Sequence, residues 1–210
     1  MVFYTGSRDS PVLLGNNVEP RNFWAIRKRE AGNGFHFIPW DVEWSLEDPN
    51  VNRVNITGRE NPHVLFQALK ANPEFRRLVE DKIQLYFFNG GALTREAATD
   101  RYLERAQAID RAIIGESARW GDQQRPAQPY TRENEWLTEQ GRLVNQFFAV
   151  RTDVVLQQLR DAGWFPDIAG PDRWTCLIDT NVPRRDELQR FQTGDHYQVT
   201  GRSLLLFALE

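Results

Sequence analysis

Residues 131–162, TRENEWLTEQGRLVNQFFAVRTDVVLQQLRDA, decide the fold class that this sequence predicts. Apolar side chains recur there at helical spacing, and they cover too broad an arc for a helix that packs on one side only. The apolar positions are Leu143, Val144, Phe147, Phe148, Val150, Val154, Val155 and Leu159. We therefore predict one long helix from about Thr131 to Ala162 that lies at the centre of a helical lobe.

Three shorter helices are predicted before this one. Asn61-Pro62 and Asn72-Pro73 each place a capping side chain before a proline at the first helical position, which indicates a helix start. A further helix is predicted from the Thr94 cap to about Arg119. The helix after Asn72 carries an apolar face formed by Phe75, Val79, Ile83 and Tyr86.

Residues 22–30 and 35–38 are typical of strands, and the Gly- and Asn-containing connection 31–34 favours a hairpin between them. Regularity weakens after Pro166, and one or two strands are predicted within 196–209. The predicted fold is α+β, with a β-hairpin and loops packed on a mainly α-helical lobe. Residues 1–166 form that lobe, and residues 167–210 form a poorly defined tail.

Composition excludes several classes of protein. The net charge of −3 argues against a general nucleic-acid binder, and the longest apolar run, Leu204 to Leu209, is too short to cross a bilayer. The first eight residues show no secretory signal. Cys176 is the single cysteine, so no internal disulfide is predicted and no Cys/His zinc cluster is expected beside three histidines.

Asp41 and Glu43 follow the second predicted strand in the segment Pro39-Trp40-Asp41-Val42-Glu43-Trp44. Two carboxylates spaced by two on an extended chain face the same side, and oxygen ligands suit a hard divalent cation. A hairpin would return Asp41 close to the polar residues that precede the first strand, Asn16, Asn17, Glu19 and Asn22. A plain surface turn is the alternative interpretation of the same residues.

Four stretches carry a resemblance to a known family: NNVEPRNFWAIRK (16–28), GNGFHFIPWDVEWSL (32–46), NPHVLFQALKANPEFRRLVEDKIQLYFFNGGALT (61–94) and ENEWLTEQGRLVNQFFAVRTDVVLQQLRDAGWFP (133–166). Together they resemble the C-terminal part of the CotH kinase family, the spore-coat protein H-like atypical protein kinases of bacteria. The likeness covers residues 14–166. Its most specific element runs from Phe35 to Asp41.

The resemblance implies the large lobe of an atypical protein kinase that phosphorylates Ser or Thr of a protein substrate with ATP and Mg²⁺ or Mn²⁺. Asp41 matches the metal-binding aspartate, and Asn22 matches an asparagine that helps to hold the metal. Phe35 falls where the family has an aromatic residue beside adenine. The family also implies a spore-coat, cell-envelope or extracellular setting.

The sequence departs from the family at the catalytic base. Asn17 and Glu19 lie where the catalytic aspartate is expected, but an asparagine cannot accept a proton at neutral pH. Glu19 carries an extra methylene, and a displacement of about 1 Å costs roughly 10²-fold in rate. Thirteen residues precede the resemblance, which leaves no room for a small lobe in the chain as given. We therefore expect a truncated kinase-like domain with little or no activity alone.

Two non-catalytic alternatives stay open. One is a pseudokinase-like scaffold, and the other is a surface-associated binding module in which the aromatic residues around Trp40 and Trp44 contact carbohydrate. Core and hairpin packing is a more ordinary role than ligand binding for these tryptophans, Trp24 and Phe23. Arg151 stands in an apolar helix, and a buried guanidinium needs a partner, for which Glu43 and Asp153 are the candidates. The acceptor protein and the oligomeric state are left open.

Overall fold

A computed structural model describes residues 1–8, 22–30, 32–55, 63–165, 173–181, 189–192, 195, 197–201 and 203–209. The chain divides into two compact units, Met1–Phe165 and Pro166–Glu210. The first combines helices with a two-stranded sheet, and the second contains a three-stranded sheet. The predicted α+β class is thus confirmed.

The helices that precede the long helix are α1 (Val2–Thr5), α2 (His63–Leu69), α3 (Pro73–Phe87), α4 (Arg95–Ile109) and α5 (Ala112–Trp120). The predicted cap of α3 is confirmed, because the Asn72 side chain accepts hydrogen bonds from the backbone N–H groups of Glu74 and Phe75 at 2.9 and 3.1 Å. Thr94 occupies the N-cap position of α4, as predicted. Its side chain forms no capping bond, because the hydroxyl donates to the Gly91 carbonyl instead. The Asn61-Pro62 pair lies outside the described residues.

The helix predicted from Thr94 to Arg119 is wrong in one respect, because it is divided at Asp110 and Arg111 into α4 and α5. Asp110 receives two hydrogen bonds from the Arg132 guanidinium, at 3.0 and 2.6 Å. At the division the backbone bonds change to three-residue spacing, from Asp110 to Gln107 and from Ile114 to Arg111. The division therefore lies where Asp110 contacts the start of the long helix.

The long helix is continuous from Arg132 to Asp161, as predicted, although two of its segments are π-helical. The π-helical segments are Arg132–Trp136 and Leu143–Phe147, and they alternate with α6 (Leu137–Arg142) and α7 (Phe148–Asp161). Its central position is confirmed, because it contributes much of the core: Leu143, Phe147, Phe148, Val155, Leu156 and Leu159. α1, α3 and α4 add Tyr4, Ile83, Phe87 and Ala98.

The predicted hairpin is confirmed as β1 (Phe23–Arg27) and β2 (Phe35–Pro39), with Phe23 opposite Pro39 and Arg27 opposite Phe35. Its strands are largely exposed to solvent, with Trp24 64% and Phe35 62% exposed. The Trp24 and Trp40 rings lie 6.3 Å apart, so they contact each other within the hairpin. The prediction of hairpin packing is confirmed for Trp24 and Trp40, and for Phe23, whose ring lies 5.9 Å from that of Phe37. The prediction of core packing is wrong for the three tryptophans, because Trp24, Trp40 and Trp44 are 64%, 49% and 47% exposed.

The second unit contains β3 (Arg173–Asp179), β4 (Arg190–Gln192) and β5 (Leu205–Leu209), with β3 in the centre and antiparallel to both neighbours. The expectation of one or two strands in the tail is too low, because β3 and β4 lie before the region in which strands were predicted. Phe191, Tyr197 and Phe207 pack edge to face within this unit. No helix in the described part of the chain is long and apolar enough to span a membrane.

Candidate functional site

Asn22 and Asp41 meet at the open end of the hairpin, one residue before β1 and two residues after β2. The Trp40 backbone N–H donates to the Asn22 carbonyl at 3.0 Å, and the Asn22 side-chain amide donates to the Asp41 carbonyl at 3.0 Å. The hairpin therefore brings together the two residues that the sequence assigns to metal binding. We call this pair the hairpin joint.

The backbone at the hairpin joint is left-handed at both residues, with φ of 54° at Asn22 and 49° at Asp41. Asparagine and aspartate enter this region more readily than other residues with side chains, because their short polar groups bond to nearby backbone. The residue types at the joint thus suit its conformation. A substitution that tests metal binding at this joint must therefore introduce a residue that also tolerates a left-handed backbone, so that the local fold is kept.

The side-chain oxygens of the hairpin joint have no partner among the described residues. The Asp41 residue is exposed, and its carboxylate forms no ion pair there; the Asn22 amide uses its nitrogen, which leaves Oδ1 available. Mg²⁺ is commonly held by one or two protein groups together with phosphate oxygens and water. A carboxylate and an amide oxygen fit that donor set. No group of three or more His, Cys, Asp or Glu in the described ranges forms an all-protein metal site.

Phe35 lies at the other end of β2, about 13 Å of strand from Pro39. It faces Arg27 across the hairpin, and the Arg27 guanidinium lies 5.9 Å from the centre of the Phe35 ring. Arg27 also donates to the Asn33 carbonyl at 3.2 Å, which holds its side chain near the turn. A nucleotide that contacts both Phe35 and Asp41 would have to lie along β2.

Asn17 and Glu19, the two candidates for the catalytic position, lie outside the described residues. Their roles stay predictions. Glu43 is exposed and lies two residues beyond Asp41, outside the bonds that close the hairpin joint.

The chain beyond Asp41 is fixed to the long helix over residues 46–51, which we call the clamped loop. Arg142 donates to the carbonyls of Leu46 and Glu47 at 2.8 and 2.9 Å, and Gln158 donates to that of Asn50 at 3.0 Å. These bonds hold the segment that follows Asp41 on the long helix, without contacting the hairpin joint.

Arg151 is the central contact of the clamped loop and is fully buried. Its guanidinium donates to the carbonyls of Pro49 and Val51 at 2.6 and 2.9 Å, and to those of Phe3 and Tyr4 in α1. The predicted ion pair with Glu43 or Asp153 is therefore wrong, since backbone carbonyls replace a carboxylate. Burial lowers the pKa of Arg151 to about 10, so the group is still protonated at neutral pH.

Gly6 lets α1 approach the clamped loop closely. A Cβ at this position would lie 2.5 Å from Cγ1 of Val51, and its φ of 66° is left-handed. Next to it, Arg8 pairs with Glu47 at 2.7 Å and lies 5.2 Å from the Trp44 ring centre. The contacts of Arg142 and Gln158 were missed from sequence, although Gln158 interrupts the apolar pattern of the long helix and Arg142 directly precedes it.

Comparison of the chain with protein-family models, curated proteins and solved structures found no match in any of the three.

Proposed function

We propose that the Met1–Phe165 unit is the large lobe of a CotH-type atypical protein kinase and that its hairpin joint holds the divalent cation of Mg²⁺-ATP. The observation that carries this proposal is the hydrogen bond from the Asn22 amide to the Asp41 carbonyl, which places an amide oxygen and an exposed carboxylate at one joint. In this role Asp41 binds the cation and Asn22 helps to hold it.

The bound cation would neutralise the charge of the nucleotide phosphates. The exposed face of Phe35 would stack on adenine, since a flat apolar ring in water gains from covering another flat ring. The acceptor is a Ser or Thr hydroxyl of a protein. Because an aspartate is absent from residues 17–21, we expect the chain to bind nucleotide yet transfer little or no phosphate.

Calorimetric titration with Mg²⁺-ATP tests nucleotide binding. Asp41→Asn is the variant of choice, because asparagine keeps the tolerance for a left-handed backbone while it removes the charge. We expect affinity to fall by about tenfold or more. Glu43→Gln removes an exposed carboxylate two residues away, and its affinity for Mg²⁺-ATP should stay within about twofold of that of wild type. Absence of binding by wild type, or equal binding by Asp41→Asn, would contradict the proposal.

Incubation with labelled ATP, Mg²⁺ or Mn²⁺ and a generic protein acceptor tests catalysis separately. We expect no transfer above the level of Asp41→Asn. Robust transfer by wild type that Asp41→Asn abolishes would show that the inactivity prediction is wrong while supporting the metal role. The two parts of the proposal are thus distinguishable.

Exposed tryptophans favour a second candidate, a carbohydrate-binding module without catalysis. Trp24, Trp40 and Trp44 are 64%, 49% and 47% exposed, and indole faces commonly pack on apolar faces of their ligands. Glycan-array binding that Trp40→Ala abolishes, without any binding of Mg²⁺-ATP, would favour this candidate. Trp120→Ala is a matched control, because Trp120 is 47% exposed on α5, outside the hairpin.

A further inference from the structure

The helical lobe contains an open cavity of about 350 Å³, separate from the hairpin joint. Its floor is built from buried side chains of three helices, Tyr4 of α1, Ile83 and Phe87 of α3, and Leu159 of α7. Phe66 of α2, which is partly buried, also lines it. The lining is almost wholly apolar. Such a cavity favours a ligand that is itself apolar over most of its length.

The volume sets the size of that ligand. A cavity of 350 Å³ is at the small end of the range of ligand sites in proteins, about 300–1,000 Å³. A cavity of roughly 150 Å³ holds benzene, so this one accommodates roughly twelve to fifteen non-hydrogen atoms. A saturated acid of ten to twelve carbons has that size.

The mouth of the cavity carries the polar recognition element. Leu78, Lys82 and Tyr86 follow one another at four-residue spacing along α3, and all three are exposed. Lys82 is the one charged side chain among the described residues that line the cavity, and it forms no ion pair with another described residue. Met1 also lines the cavity, and burial lowers the pKa of its α-amino group, so Lys82 is the solvent-exposed ammonium group there. An exposed ammonium group beside an apolar cavity complements an apolar chain that ends in an anion.

We propose that this cavity binds a free fatty acid of about ten to twelve carbons, with the chain on the floor and the carboxylate at Lys82. Tyr86 lies one turn further along α3, where its ring adds apolar surface to the mouth. The proposal is independent of the nucleotide site. The same acyl chemistry is present in membrane phospholipids, and vesicle binding distinguishes the two sources.

Titration calorimetry of the whole chain with decanoate and dodecanoate, kept below their micellar concentrations, measures the binding directly. Affinity should rise about fourfold for each added methylene up to roughly twelve carbons, then level off as the cavity fills. Dodecanol should bind more weakly than dodecanoate in wild type. No binding of either acid, or a continued rise for much longer chains, would overturn the proposal.

Two pairs of variants locate the site. Leu78→Glu places an anion at the mouth and should reduce dodecanoate affinity by about tenfold or more, whereas Leu85→Glu, on the same helix but outside the lining, should leave it unchanged. Lys82→Met should lower the affinity for dodecanoate about threefold to fivefold and remove the preference for dodecanoate over dodecanol. Lys28→Met, the control, should leave both affinities unchanged. Equal effects within either pair would contradict the assignment.

Vesicle sedimentation distinguishes the free acid from a membrane. We expect no recruitment to vesicles of phosphatidylcholine with or without phosphatidylglycerol. Recruitment to the anionic vesicles without binding of free dodecanoate would overturn the proposal and assign the cavity mouth to a lipid surface instead.

Discussion

The clamped loop and the hairpin are consecutive in the chain, yet they are held in opposite ways. The clamped loop is bound to the long helix through Arg142, Arg151 and Gln158, and its anchoring guanidinium is fully buried. The hairpin is closed by its own ladder and by the Asn22 amide, while most of its side chains face water. The residues that hold the lobe together and those of the proposed cation site therefore lie in different segments, and we expect that hairpin side chains can be changed without unfolding the lobe.

The largest expected contrast compares two phenylalanines. Phe147 is 0% exposed in the long helix and Phe35 is 62% exposed in the hairpin. We expect Phe147→Ala to lower the free energy of unfolding by about 3–5 kcal/mol, since it leaves a cavity in the core. Phe35→Ala should change it by less than about 0.5 kcal/mol. Urea unfolding measures both free energies. A comparable loss of stability in the two variants would contradict the contrast between a buried core and an exposed hairpin.

Arg151→Met tests the anchor of the clamped loop. The variant leaves several buried carbonyls without donors, so we expect the free energy of unfolding to fall by about 3 kcal/mol or more. Arg105→Met, an exposed arginine on α4, should stay within about 0.5 kcal/mol of wild type. Thermal and urea unfolding check both values. A neutral Arg151→Met would show that water replaces the guanidinium at little cost.

A smaller effect on the free energy of unfolding is expected from the half-buried pair of Asp110 and Arg132, whose side chains are 30% and 24% exposed. Hydrogen bonds from Arg132 lower the pKa of Asp110 below its ordinary value of 3.8. A depressed folded-state pKa adds stability that is fully present above the ordinary value and is lost as the pH falls through the depressed one. The advantage of wild type over Asp110→Asn in the free energy of unfolding should therefore decrease as the pH falls from about 5 through 3.8 and below.

Urea midpoints at several pH values measure this difference. Arg132→Met serves as the second variant, and it should shrink the pH dependence as Asp110→Asn does, because both remove the same bonds. Parallel profiles for wild type and Asp110→Asn would show that the pair does not link stability to pH.

Local signals predicted the elements that depend on neighbours in sequence. The Asn72 cap and the limits of the long helix follow from a side chain beside its own helix and from apolar periodicity. The hairpin followed from its Gly and Asn connection, and the meeting of Asn22 with Asp41 followed from the hairpin.

Features that depend on distant parts of the chain were not predicted. The carbonyls that Arg151 binds lie 100 to 148 residues away in sequence. Every residue has a backbone carbonyl, so residue types do not show which carbonyls accept these bonds. At the division, Asp110 bonds to Arg132, which lies 22 residues further on. The apolar stripe of α3 predicts a buried face, but it does not show that part of that face borders a cavity.

Paramagnetic broadening of nuclear magnetic resonance signals by Mn²⁺-ATP tests the central claim most directly. If the cation binds at the hairpin joint, the signals of the Asn22 side-chain amide and the Trp40 backbone amide should broaden selectively. Excess Mg²⁺-ATP should reverse the broadening, and Asp41→Asn should not show it. The Trp120 indole signal should stay sharp. Unaltered Asn22 and Trp40 signals, or broadening that persists in Asp41→Asn, would contradict the assignment of the hairpin joint as the cation site.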